Sequence, residues 1–211
     1  MEGERLLLSD LGGTHVRFAI SYDGVIERIR KYRVSDFANP VQATERYLND
    51  EQRGMHDFNA YLMSSAAVRL PEGAWHFSNI NSWVFYDSDM VANIATDRFV
   101  MVDDFAANAY GIINIDKQAL RPIHTCKKDK AAPCVIAGCG TGLGLSYLLP
   151  DGDGYQVHET WGGHMVPACI TAEQFEVMQA VQEFKMLDSS PIFEDVVSGP
   201  GLTRIYHALK G

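Results

Sequence analysis

Short apolar runs, each ending in glycine or acidic residues, recur along the chain. The runs at 6–8, 99–102 and 134–137 are uniformly apolar and too short for helices, which is typical of buried strands. Alternation of apolar and polar positions at 15–21 and 145–149 predicts strands with one buried face. Because such strands alternate with helical stretches, the pattern predicts an α/β protein.

The first half of the chain reads as a β-meander followed by alternating helices and strands. Its predicted elements are strands at 6–10, 15–21 and 25–34, a helix from Pro40 to about Leu48, a strand at 58–68, a loop or edge strand at 75–83, a short helix at 89–95 and a strand at 98–102. Pro40 suits the first position of its helix because proline lacks the backbone N–H that would remain unpaired there. We expect residues 1–108 to form one small α/β domain.

The second half repeats this opening order of elements after a linker-like stretch at 122–133. Its predicted elements are a strand at 134–137, a glycine and threonine tip at 138–144, an outgoing strand at 145–149, a strand at 155–159, an amphipathic helix at 171–185 capped by Thr171, and a last helix at 202–209. Each half starts with a strand, a tip and a second strand, which indicates a duplicated fold with phosphate held between its halves. We expect the second domain to span 109–211.

Composition narrows the class of function. The chain carries a net charge of -9, whereas nucleic acids and anionic membranes require clustered Lys and Arg, so neither partner is expected. The four cysteines lack the spacing of a zinc site or a disulfide scaffold. The apolar run before Asp10 is too short for an export signal or a transmembrane segment, which favours the cytoplasm.

Two adjacent acids, Asp103 and Asp104, follow the predicted strand at 98–102. Ligands collect at the carboxyl ends of strands in open α/β sheets, where a carboxylate can accept a proton from a substrate hydroxyl or hold a cation. Either acid could instead simply cap the following helix. Capping requires only one of them, which leaves the other carboxylate without a routine explanation.

The tips at 10–14 and 138–144 are candidates for phosphate binding. Glycine lets backbone N–H groups approach phosphate oxygens, threonine adds a hydroxyl donor, and Asp10 can hold the water shell of Mg²⁺. An ordinary hairpin turn would explain the first glycines equally well. The chain has no P-loop motif, and its alternate glycines do not match a dinucleotide fingerprint, which disfavours an oxidoreductase.

His164 and Glu194 are candidates for sugar recognition. Each has a simpler explanation, because His164 could be a structural histidine and Glu194 a surface residue. Hexoses are nevertheless bound by convergent carboxylates, amides and imidazoles, whose oxygens and nitrogens match paired hydroxyl groups. The two glycines before His164 would let backbone and imidazole approach such a ligand closely.

Five motifs stand in the order seen in bacterial glucokinases: DLGGT at 10–14, DDFAA at 103–107, GTGLG at 140–144, GGH at 162–164 and SGPGL at 198–202. The chain resembles this family, within the hexokinase and actin-like ATPase superfamily, over essentially its whole length. The resemblance implies a two-domain α/β actin-like ATPase (ribonuclease H-like) fold with an incomplete second domain, and with ATP and glucose in the cleft between domains. It further implies Mg²⁺-dependent phosphorylation of glucose at the 6-hydroxyl, feeding glycolysis, and a possible homodimer.

The resemblance also implies residue roles. Asp104 matches the catalytic base. The implied sugar-binding residues are Asn79, Asp103, Gly142, Trp161, His164 and Glu194. The implied ATP phosphate-binding residues are Asp10, Leu11, Gly12, Gly13, Thr14, Gly140, Thr141, Gly142 and Gly144, with Asp10 also the metal-binding carboxylate.

Three features depart from the family pattern. Asp103 stands where the family usually has Asn, and Trp161 stands where it has Glu. The family also continues past the last helix into an adenosine-binding segment, whereas this sequence stops at Gly211. The alternatives are therefore a fragment of a longer kinase, or a shortened relative that is a catalytically weakened or inactive sugar- or nucleotide-binding protein.

Overall fold

The computed structural model describes residues 3–78, 80, 83–94, 98–124, 127, 129 and 131–210, so the predicted sugar-binding residue Asn79 lies outside the described residues. The chain divides into two compact units, Met1–Asp104 and Phe105–Gly211. The assignment of 109–211 as an incomplete second domain stays a prediction.

The first unit is a mixed α/β structure. Its elements are β1 (Arg5–Leu11), β2 (His15–Tyr22), β3 (Val25–Arg33), α1 (Pro40–Asp50), β4 (Ala60–Ser65), β5 (Ala67–Arg69), β6 (Ala74–Phe77), β7 (Val84–Tyr86), α2 (Asp87–Ile94) and β8 (Phe99–Val102). Helix α1 begins at Pro40 as predicted, and the side chain of Asn39 caps it by accepting a hydrogen bond of 2.9 Å from the backbone N–H of Gln42.

A five-stranded sheet with the order β3-β2-β1-β4-β8 organises the first unit. Strand β1 pairs antiparallel with β2 and parallel with β4, and β4 pairs parallel with β8. Alternate residues such as Leu7, Phe18 and Ile20 are buried, and the ring of Tyr47 from α1 stacks on Phe18 with 5.0 Å between centroids. The alternation that predicted β2 therefore matches its burial against α1, whereas β1, which was predicted from a uniformly apolar run, also buries alternate residues.

The predicted strand at 58–68 is wrong in one respect, because the structure divides it into β4 and β5 at Ala66. The hydroxyl of Ser65 donates to the carbonyl of Leu11 at 2.9 Å, and the carbonyl of Ala66 accepts from both the backbone N–H and the hydroxyl of Ser78. The chain thus leaves the large sheet and joins a small sheet of order β5-β6-β7. The apolar run alone carries no sign of this change of partner.

The second unit contains one small sheet and several helices. Its elements are α3 (Asp104–Asn114, beginning at the last residue of the first unit), β9 (Cys134–Cys139), β10 (Leu143–Asp151), β11 (Gly154–Thr160), α4 (Ala172–Lys185), α5 (Phe193–Val196) and α6 (Gly199–Lys210). The sheet is antiparallel with the order β11-β10-β9. Among the described residues, no helix combines the length and apolar content that crossing a bilayer requires.

The helices of the second unit start at local capping signals. Helix α4 has the predicted cap, Thr171, which forms a reciprocal capping box with Gln174. Helix α6 begins at Gly199, three residues earlier than predicted, because the hydroxyl of Ser198 accepts a hydrogen bond of 2.9 Å from the backbone N–H of Gly201. The serine, glycine and proline cluster is therefore the start of this helix rather than a segment before it.

Candidate functional site

The second glycine and threonine tip joins β9 to β10. The backbone N–H of Gly140 donates to the carbonyl of Gly142 at 2.9 Å, which closes the turn. The carbonyl of Gly140 accepts a further bond of 2.9 Å from the backbone N–H of Gly199, at the start of α6. Thr141 is exposed at the end of the tip. The turn is therefore held in place by α6 while its threonine remains accessible.

Glu194 from α5 lies directly against this tip. Its Oε2 atom accepts a hydrogen bond from the backbone N–H of Leu143 at 3.3 Å. A Cβ atom added to Gly142 would lie 2.5 Å from the same oxygen, so a larger residue there would displace the carboxylate. Ser198 fixes the other end of α5 by donating from its hydroxyl to the carbonyl of Glu194 at 2.7 Å. Two predicted sugar-binding residues, Gly142 and Glu194, are thus neighbours.

His164 and Trp161 complete the cluster. His164 ends a 3₁₀ turn, Gly162–His164, and its Nε2 atom is 3.7 Å from Oε1 of Glu194, too far for a direct hydrogen bond. The ring centroids of Trp161 and His164 are 5.1 Å apart at a steep angle of 63°. The second unit therefore brings together Gly142, Trp161, His164 and Glu194, which are 52 residues apart at most in the sequence.

Close packing positions the 3₁₀ turn against β10. A Cβ atom on Gly163 would overlap the carbonyl oxygen of Leu143, and one on Gly162 would lie 2.6 Å from Cδ1 of Leu145. Gly163 is therefore required for the approach of the turn to the strand, whereas a side chain at Gly162 would require Leu145 to shift. Gly144, predicted to contact phosphate, has a different neighbour, because an added Cβ atom there would overlap the ring of Phe105.

A buried carboxylate beside Glu194 was missed by the sequence reasoning. Asp195 is 6% exposed and accepts hydrogen bonds from Lys185 of α4, from Arg204 of α6 at 3.3 Å and from the backbone N–H of Ile192 at 3.0 Å. Burial opposes its charged form, but the bonds from Lys185 and Ile192 outweigh this effect and lower the pKa of Asp195. The only sequence signal was its position next to Glu194, and a lone Asp in a short helix ordinarily faces solvent.

The first tip and the acid pair occupy one edge of the sheet in the first unit. Asp10 is the direct neighbour of Ser64 across the β1 and β4 pair, and Ser64 is the neighbour of Val102 across β4 and β8. Two strand spacings, or about 10 Å, therefore separate Asp10 from the residue that precedes Asp103. Asp104 is the first residue of α3, and both acids are partly buried. The parallel strands thus bring two of the predicted site segments to the same edge.

Within the first tip, Gly12 and Thr14 are exposed. The backbone N–H of Gly12 donates to the carbonyl of His15, and the carbonyl of Thr14 accepts from the backbone N–H of Val34, each at 3.0 Å. Asp10 accepts a hydrogen bond from Arg17 through Oδ2 at 2.8 Å. The tip is thus anchored on both sides, with its glycine and threonine accessible.

The next question is whether the side chains described above could hold a metal ion. The described residues contain no cluster of three or more His, Cys, Asp or Glu side chains that could hold a metal ion. A Mg²⁺ that arrives with nucleotide phosphates keeps several water ligands and needs only one or two carboxylates. Asp10 fits this limited role, since Arg17 engages only one of its oxygens in the described contacts.

Comparison with known proteins relates this chain to glucokinases. A model of the glucokinase family matches residues 7–211. The chain is 26% identical to a glucokinase of Tolumonas auensis over 98% of the chain and 62% of that protein, and 31% identical to a glucokinase of Helicobacter acinonychis over 97% and 60%. The chain therefore spans about three fifths of the length of the relatives it matches.

Solved structures show the same fold. The crystal structure of a glucokinase from Balamuthia mandrillaris in complex with glucose has a TM-score of 0.78 to this chain at 18% identity, over 97% of the chain and 62% of that protein. At this identity the similarity concerns the fold alone. The predicted α/β fold of actin-like ATPase type is confirmed, and the chain covers part of it.

Proposed function

Because this chain belongs to the glucokinase family, we propose that the protein is a hexose kinase that transfers the γ-phosphoryl group of ATP to the 6-hydroxyl of the sugar, with glucose as the first candidate. The observation that carries the proposal is the convergence of Glu194 and His164 on the tip at Gly142. The acid pair at the carboxyl end of β8 supplies the second component, a base for the sugar hydroxyl.

The sugar is held by Glu194 and His164. The 3.7 Å between their nearest polar atoms leaves them unbonded to each other. A sugar hydroxyl can donate to the carboxylate and accept from the imidazole at the same time, so one hydroxyl satisfies both groups. The carboxylate is already oriented by Leu143, and this orientation lowers the entropy cost of binding. Gly142, and Asp103 in the first unit, are further proposed contacts.

The proposed phosphate-binding segments are the two tips, one in each unit. Backbone N–H groups near Gly12, Gly13, Gly140 and Gly142, and the exposed hydroxyls of Thr14 and Thr141, are hydrogen-bond donors that suit phosphate oxygens. When bound with the nucleotide, Mg²⁺ would neutralise phosphate charge, and Asp10 is the carboxylate placed to hold its water shell. Leu11 supports the tip through the bond from Ser65 to its carbonyl.

Asp104 is the proposed catalytic base. The sugar O6 atom attacks the γ-phosphorus and forms the new O–P bond, while the bond to the ADP oxygen breaks and ADP leaves with that electron pair. The hydroxyl proton passes to the Asp104 carboxylate. Asp104 begins α3, and the positive end of a helix dipole favours a negative charge at that position before the transfer.

A coupled assay for ADP tests the activity. We expect ADP formation that depends on both hexose and Mg²⁺, with glucose, mannose, galactose and an amino sugar compared at equal concentration. ADP formation that is the same with and without every sugar would contradict the proposal. The cytoplasmic location and the homodimer stay predictions.

A second candidate is a sugar-binding protein without catalysis. It is favoured by Trp161, an aromatic ring at a position where the resemblance implies a carboxylate. Calorimetry separates the two functions. Hexose binding without ADP formation would support the second candidate, and hexose-dependent ADP formation would exclude it.

A further inference from the structure

One tryptophan differs from the other two in its surroundings. Trp83 is 2% exposed within the core of the first unit, and the half-buried Trp75 donates from Nε1 to Asp87 at 2.6 Å. Trp161 is 50% exposed. The apolar area of a half-exposed ring stays hydrated and contributes nothing to the stability of the fold. Because this ring lies beside the polar side chains of His164 and Glu194, its exposed part suits contact with a ligand.

The backbone under this ring is rigidly held. The carbonyl of Trp161 accepts from the backbone N–H of His164 at 2.9 Å, and the next residue, Gly162, donates from its N–H to the hydroxyl of Thr160 at 3.0 Å. Thr160 in turn donates to the carbonyl of Leu145 at 3.1 Å. The indole therefore projects from a fixed point on β11 and its turn, beside the pair of His164 and Glu194.

The three side chains offer two kinds of surface to one ligand. His164 and Glu194 offer a donor and a charged acceptor, whereas Trp161 offers a flat apolar ring with a negative face. A hexopyranose has the matching division, because its hydroxyls lie around the rim and its axial C–H groups lie on the two faces. The half-exposed indole leaves part of its ring accessible to such a ligand.

We propose that Trp161 is a stacking platform that selects hexopyranoses with an uninterrupted C–H face, and so sets the epimer specificity of the site formed with His164 and Glu194. This inference rests on the proposed sugar site. In the chair form of β-glucose all ring hydroxyls are equatorial and both faces carry only C–H groups, whereas the α anomer has an axial hydroxyl at C1 on the face with H3 and H5. Mannose and galactose have an axial hydroxyl on one face, and allose has one on the other.

A sugar stacked on Trp161 by either face must therefore discriminate against one of these two classes of epimer. If the face with H2 and H4 meets the ring, mannose and galactose bind weakly and allose is tolerated. If the opposite face meets the ring, allose binds weakly and the other two are tolerated. Selectivity should follow this division by face, and it should disappear when the ring is removed.

Calorimetry on the whole chain with these four sugars tests the proposal, with Trp161→Ala as the main variant. We expect the affinity for glucose to fall roughly two- to tenfold, and the ratio between the rejected and tolerated epimers to approach one. Trp161→Phe should retain most of the affinity and selectivity, which distinguishes a stacking role from general unfolding. Unchanged affinity and epimer ratios in Trp161→Ala would overturn the proposal.

Tryptophan fluorescence gives an independent readout. Glucose should change the emission of the wild-type chain and of the matched control Trp75→Phe, and it should leave Trp161→Phe unchanged. Trp161-dependent binding without ADP formation supports this inference and rejects the kinase activity. If Trp161→Ala forms ADP with the KM and epimer ratios of the wild type, this inference is rejected and the kinase activity is supported. If the wild-type chain binds no hexose, both proposals are rejected.

Discussion

At the residue scale, neighbouring carboxylates have different surroundings. Glu194 faces the tip at Gly142 and is one third exposed at its side chain, whereas Asp195 is buried and bonded to Lys185 and Arg204. A carboxylate that already has several donors stabilises structure, and one that retains an exposed oxygen can take a ligand. This division is the reason for proposing Glu194 as a binding residue, whereas Asp195 supports the structure.

Asp104→Asn tests the proposed base, because the amide keeps the size of the side chain and cannot accept the proton. We expect kcat for hexose-dependent ADP formation to fall by roughly 10²- to 10⁴-fold, while KM for the sugar changes little. The matched control is Asp116→Asn, since Asp116 is exposed after α3 and belongs to neither proposed site. Equal rates for the Asp104 variant and the wild type would argue against general base catalysis by this residue.

At the element scale, Asp195 joins three helices of the second unit. Its donors come from α4 and α6 and from the residue before α5, so a single carboxylate sets the positions of the helices around Glu194. Sequence periodicity located α4, and the serine, glycine and proline cluster located α6, but neither signal indicated that a charged group lies between the two helices. The contact depends on side chains 10 and 9 residues away from Asp195 along the chain.

Asp195→Asn should destabilise the second unit by about 1–3 kcal/mol at pH 7, because Lys185 and Arg204 lose their charged partner. The folded-state pKa of Asp195 is lowered from 3.8. Its contribution is therefore fully present above the unfolded-state pKa and is lost as the pH falls through the lower folded-state pKa. Urea unfolding at neutral pH and below pH 3.8 should show the difference between wild type and variant shrinking in acid.

The control for this experiment is Asp188→Asn, which changes an exposed Asp close to α4 in the sequence. It should leave the free energy of unfolding within about 0.5 kcal/mol of wild type. A stability difference for Asp195→Asn that stays constant with pH would show that shape, rather than charge, determines its effect.

Gly163→Ala tests the contact between the 3₁₀ turn and β10. The added methyl group would overlap the carbonyl oxygen of Leu143, so we expect a loss of about 1–3 kcal/mol in the free energy of unfolding. Gly111→Ala is the matched control, because its Cβ atom would meet open space on α3 and should stabilise the helix by about 0.5–1 kcal/mol. Denaturant unfolding measures both, and a tolerated Gly163→Ala would mean that the turn does not depend on this approach.

At the scale of the whole molecule, the two units differ in the cores they bury. The first unit has a continuous cluster that includes Tyr47, Tyr61, Phe77 and Phe85. In the described part of the second unit, the buried apolar side chains are Ala106, Ala109, Leu148, Val181 and Pro191. Since burial of apolar area is the main favourable term in folding, the first unit should be the more stable one.

Hydrogen exchange should report this difference. We expect the slowest amide exchange in β1, β2 and β4, and exchange faster by at least about tenfold in β9, β10 and β11, which corresponds to 1.4 kcal/mol or more of opening free energy. The comparison is internal, because both sets of strands belong to one chain in one sample. Equal protection of the two sheets would indicate that they unfold as one cooperative unit.

The sequence alone determined the element types and most of their starts, including the helix at Pro40, the cap at Thr171 and the strands that flank both tips. It also determined the family through five ordered motifs. The element types and their starts depend on hydrophobic period, turn residues and caps, all of which act between residues close together in the chain. The same information named Gly142, His164 and Glu194 as candidate site residues, and their role in binding stays a prediction.

Only the tertiary structure decided which of these residues meet. It divided the strand at 58–68 between two sheets, set Glu194 against the tip at Gly142, left Trp161 half exposed and buried Asp195 between α4 and α6. Each of these outcomes depends on pairing between distant segments. Local patterns say whether a residue favours burial, but the packing of those segments selects its neighbours.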